Sequence, residues 1–128
     1  MDSTKPVSVT LQGRVGQWVL DAFGPANALN RRERALRVLE EAAELCQAEG
    51  VGLEQVVRVS ERTFSRPVGD PTQEAAGIGV TLLAWGAAAG VDVLGVSEQE
   101  IARVEQPEVM EAVRARQVIK KADGVSAT

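Results

Sequence analysis

Eighteen acidic side chains, a single cysteine and no histidine set the chemistry open to this 128-residue chain. Without imidazole there is no Ser-His or Cys-His nucleophile and no histidine-held metal. Cys46 alone makes neither an intrachain disulfide nor a thiolate cluster for zinc. Carboxylates are left for acid, base or ligand work, and an ion held by carboxylates is a hard one, Mg²⁺ or Mn²⁺. The densest group is Leu39-Glu40-Glu41-Ala42-Ala43-Glu44-Leu45. At about 100° per residue, Ala35, Leu36, Val38, Leu39, Ala42, Ala43, Leu45 and Cys46 fill one half of a helical wheel, and Glu40, Glu41 and Glu44 cluster on the other. Glu40 and Glu44 form an i,i+4 like-charge pair that costs an isolated helix on the order of 0.2–0.5 kcal/mol, a repulsion that a divalent cation turns into attraction. The same residues equally describe a solvated acidic face, with Arg37 pairing to Glu41.

The elements that must position these residues are helical. Val15, Trp18, Val19 and Ala22 fall at helical spacing over Leu11 to Phe23, and Gly24-Pro25 ends that segment. A second helix starts after Asn30 as N-cap and runs to Gly50 as the residue past its end. A short helix over Leu53 to Phe64 precedes the breaker Ser65 to Asp70. Asp70-Pro71-Thr72-Gln73 then joins an N-cap acid, a proline at N1 and a glutamine at N3, and opens a helix that reaches Gly90. Ser97-Glu98-Gln99-Glu100 is a second capping box, and Pro107 separates its helix from a last one over Glu108 to Lys121. Residues 1–10 read as a flexible lead-in, 11–121 as a single domain and 122–128 as a flexible tail.

Composition agrees with an all-α bundle. Hydrophobic residues make up 45% and charged residues 25%, the balance of a folded globular chain. Aromatic residues are only 3%, so the core is built from Ala, Leu and Val, which suit closely approaching helices. A net charge of −4 argues against a duplex nucleic-acid surface, which needs several phosphates neutralised. The apolar run Ala75 to Val91 is broken by Gly77, Gly79, Thr81, Gly86 and Gly90 and falls short of the roughly 20 residues of a membrane span. Met1 to Gln12 lacks the basic start and apolar run of a signal peptide, so a cytoplasmic location is expected. Ala75 to Gly90 is apolar almost all round and must be buried on several sides, more than a small bundle does alone, so an oligomer is expected.

Glu41-x-x-Glu44, followed by Arg66-Pro67-Val68-Gly69-Asp70-Pro71 and by Gln73-Glu74 at the head of the apolar helix, resembles the MazG-like members of the all-α nucleoside triphosphate pyrophosphohydrolases. Trp18 to Pro25, Arg31 to Leu45 and Val113-Arg114-Ala115-Arg116-Gln117 add to the likeness, which covers about residues 15–121. The resemblance implies an oligomeric helical bundle, a homodimer or a dimer of dimers. It also implies cleavage of a nucleoside triphosphate between its α and β phosphates to monophosphate and pyrophosphate, with Mg²⁺ or Mn²⁺ as cofactor. Carried over by position, Glu41, Glu44 and Glu74 are the metal ligands and catalytic carboxylates, with Glu40 as neighbour. The family's fourth position, an aspartate, is Gly77 here. Mg²⁺ keeps several waters and completes its octahedron with phosphate oxygens, so three carboxylates are compatible with a weaker site. Thr81 is a candidate for touching substrate, and Asp21 and Asp92 are candidate replacements for the missing ligand.

Arg114, Arg116, Lys120 and Lys121 either close over phosphates or complement the end of the last helix. Trp18 either stacks on a base or packs in the core, and Asn30 either contacts the base or sugar or caps its helix. The leading expectation is a Mg²⁺-dependent nucleotide pyrophosphohydrolase. Its rival is a catalytically degenerate homologue that binds nucleotide, or serves as a helical oligomer, without hydrolysis.

Overall fold

The structure, a computed structural model, describes residues 10–128. Apart from Thr10, the expected lead-in lies outside the described residues. Six helices and no strand are found among them: α1 (Leu11–Ala28), α2 (Arg31–Ala48), α3 (Leu53–Phe64), α4 (Pro71–Ala89), α5 (Val93–Val104) and α6 (Pro107–Ala122). The chain packs as two compact units. A terminal unit holds residues up to Leu36 and from Ser97 onward, and a central unit holds Arg37–Val96.

Local chemistry accounts for most of the boundaries. Thr10 caps α1 by accepting the Gly13 N–H at 3.0 Å. Asn30 accepts the Glu33 N–H at 3.1 Å, and Asp70 accepts the Gln73 N–H at 3.0 Å with Pro71 behind it. At the other ends Gly50, Gly90 and Gly124 take positive φ, from 71° to 81°. The amides of Val51, Val91 and Val125 can then return to the carbonyls of Cys46, Gly86 and Lys120. The helix of Leu11 stops at Gly24 (φ 78°, ψ 168°), as expected, and a short helical turn resumes from Pro25 to Ala28, since proline fits a first helical turn. One boundary differs from expectation. The fifth helix starts at Val93, so Ser97 lies inside it, and the Val96 N–H already bonds the Asp92 carbonyl at 2.9 Å.

In the terminal unit α6 lies against α1. Val19, Ala22 and Ile101 are buried there. Trp18 stands edge-on to Phe23 at 5.9 Å and donates its indole N–H to the Val104 carbonyl at 2.9 Å. The Arg34 guanidinium covers the Phe23 ring and donates to the buried Asn27 side chain at 2.6 Å.

The central unit is far more open. Trp85 of α4 donates to Glu49 at 3.3 Å, and the buried Gly86 admits Val91 and Val93, whose atoms would lie within 3 Å of an added Cβ. Most apolar side chains nevertheless face outward: Val38 and Leu39 of α2, Leu53 and Val59 of α3, and Ile78, Val80 and Leu83 of α4. Phe64 is 90% exposed. No single helix among the described residues is long and apolar enough to cross a membrane.

Candidate functional site

Glu40, Glu41 and Glu44 sit in the middle of α2, and Glu74 in the first turn of α4, set there by the Asp70 cap and Pro71. Glu41, Glu44 and Glu74 are exposed, and Glu40 is half-buried. Arg37 donates to Glu40 at 3.0 Å, an i,i+3 ion pair along the same helix. The Glu74 side chain folds back over Gly69: a Cβ added at Gly69 would meet Glu74 Oε1 at 2.5 Å. The bare backbone of Gly69 thus lets this carboxylate lie close above the breaker segment, a requirement that the sequence showed only as a turn glycine.

No three acidic or cysteine side chains converge on a common point among the described residues. One chain therefore does not gather Glu41, Glu44 and Glu74 around an ion. As donors they suit Mg²⁺ or Mn²⁺ by type, being carboxylate oxygens, but within one chain they do not fit it by position. At Gly77 an added Cβ would meet nothing within 4 Å. Thr81 turns its hydroxyl onto its own helix, toward the carbonyls of Gly77 at 2.9 Å and Ile78 at 3.0 Å. Asp21 accepts from Gln17 at 2.9 Å, and the Asp92 carboxylate lies over Gly95 at the start of α5.

The candidate substrate residues have structural partners. Trp18 is anchored through its N–H as described, and its half-buried ring lines a cavity of about 330 Å³ with Arg14, Gln17, Asp21, Glu105 and Met110. Arg14 grips Glu105 with both arms of its guanidinium, Nε at 3.0 Å and Nη2 on the other oxygen. This hydrogen bonding holds the Glu105 carboxyl below its ordinary range.

Arg114 donates to the carbonyls of Ala22 and Asp21, each at 2.8 Å. In an unbroken helix the Asp21 carbonyl would take its hydrogen bond from residue 25, but that residue is proline and has no N–H. Arg114 fills that gap with a charged donor. Asn30 uses its oxygen to cap α2 and its amide nitrogen to reach the Ala127 carbonyl at 3.4 Å. Lys120 and Lys121 lie in the last turn of α6, Lys120 half-buried and Lys121 exposed.

Sequence reasoning missed Glu33. It is wholly buried, and its carboxylate accepts from Gln117, Ser126 and the Ala127 amide. No local pattern marks it, because its partners lie 84 to 94 residues away. Comparison of the chain with protein-family models, with curated proteins and with solved structures gives no match.

Proposed function

We propose that the chain is the subunit of an oligomeric, Mg²⁺- or Mn²⁺-dependent nucleoside triphosphate pyrophosphohydrolase of MazG-like type. The observation that carries this reading is the presence in one chain of an acidic turn on α2, Glu40, Glu41 and Glu44, and of Glu74 at the capped head of an apolar α4. The open apolar sides of the central unit support the oligomeric part, because apolar surface of this extent is ordinarily covered by a partner. The partner is a second copy, in a homodimer or a dimer of dimers. Glu41, Glu44 and Glu74 would hold the ion there. A bound divalent ion supplies an activated water and offsets charge on the phosphoryl group. Water adds to phosphorus, the bridging oxygen between the α and β phosphates leaves with pyrophosphate, and the nucleoside monophosphate remains.

Gly77 favours a second reading, a degenerate relative that binds nucleotide without hydrolysing it. A pyrophosphate-release screen over ribo- and deoxynucleoside triphosphates with Mg²⁺ and Mn²⁺ separates the two. Turnover that disappears in Glu41→Gln supports the enzyme. Nucleotide-dependent thermal stabilisation with no turnover selects the degenerate form.

A further inference from the structure

A fully buried carboxylate is costly unless donors satisfy its oxygens, and Ser126 and Ala127 are among the donors to Glu33. After α6, Gly124 (φ 73°) turns the backbone, and the Val125 N–H closes on the Lys120 carbonyl at 3.0 Å. Residues 125–128 then run back to the start of α2. There the Ala127 N–H donates to Glu33 Oε2 at 2.6 Å and the Ser126 hydroxyl donates to the same oxygen at 2.8 Å. Gln117 of α6 donates to Glu33 Oε1 at 3.2 Å and also to Ser126 Oγ at 3.0 Å, while Asn30 holds the Ala127 carbonyl. Removing one tail donor leaves charge buried with fewer partners, so these bonds support one another.

We propose that residues 125–128 are a latch that closes over Glu33 and fastens the end of α6 to the first turn of α2. Release of residues 125–128 would expose Glu33 and loosen the last turn of α6, including the exposed Lys121.

The test uses the full chain. Amide hydrogen exchange is followed at Ala127, together with the rate of trypsin cleavage after Lys121, in wild type, Ser126→Ala and Glu33→Gln. The latch predicts a protected Ala127 amide in wild type and a gain of about tenfold or more in both rates in each variant, with helix content by circular dichroism unchanged. Should Glu33→Gln fail to fold, Ser126→Ala decides alone. Exchange at Ala127 at the rate of an unprotected amide in wild type, or unchanged rates in Ser126→Ala, would overturn the proposal.

Discussion

Gly77 faces open space within the chain, so an aspartate there meets no steric obstacle in one subunit. It would also replace a glycine in mid-helix, a residue that costs up to about 1 kcal/mol relative to alanine. If residue 77 stands at a weakened ion site, Gly77→Asp tightens Mn²⁺ binding and leaves melting intact. A lower melting temperature with no gain in affinity would show instead that a neighbouring subunit packs on this glycine and that the new carboxylate is buried without a partner. Glu105 belongs to the same scale. Arg14 depresses its folded-state pKa, first by hydrogen bonding and then by charge. Its contribution to stability is therefore present above the unfolded-state pKa and is lost as pH falls through the folded one. The difference in melting temperature between wild type and Glu105→Gln should be widest near neutral pH and shrink once the ordinary carboxylate range is passed.

At the scale of the element, α1 shows how a break is repaired. Pro25 removes the amide that would have bonded Asp21, and Arg114 supplies two charged donors from α6. Arg114→Ala should cost about 1–3 kcal/mol in urea unfolding, because two carbonyls lose a charged donor. Arg114→Lys should restore only part of it, since an ammonium cannot fork across two carbonyls as a guanidinium does. If turnover fell in Arg114→Ala while the unfolding midpoint stayed fixed, the side chain would belong to substrate binding and not to the joint between α1 and α6. The helix ends were legible because their determinants are local. Asn30, Asp70, Gly50 and Gly90 act within six residues of their own positions. The start of α5 was not: the capping box at Ser97 is overridden by a helix already under way from Val93.

At the scale of the molecule, the central unit leaves Ile78, Val80 and Leu83 of α4 half or more exposed, although apolar side chains of this size each gain about 1.5–3 kcal/mol from burial. A second copy packed on this apolar surface would cover it, as the proposed assembly requires. Sedimentation equilibrium at micromolar concentration should find a dimer or tetramer, and a monodisperse monomer would rule the proposed assembly out. Leu83→Glu should shift the distribution toward smaller species, because it sets a charge among apolar neighbours in the assembled form.

What the amino-acid order determined by itself was the class of fold, the helix boundaries that depend on neighbouring residues, and the places of an acidic turn within α2 and of Glu74 in the first turn of α4. Each follows from interactions that reach one helical turn or less. Tertiary structure alone decided that Ser126 and Ala127, within the stretch expected to be a flexible tail, meet a buried Glu33, and that Arg114 mends α1. It alone decided that the three carboxylates do not converge within a single chain. These outcomes depend on contacts between residues far apart in the chain, and hydrophobic periodicity and capping carry no information about which distant donor meets which acceptor.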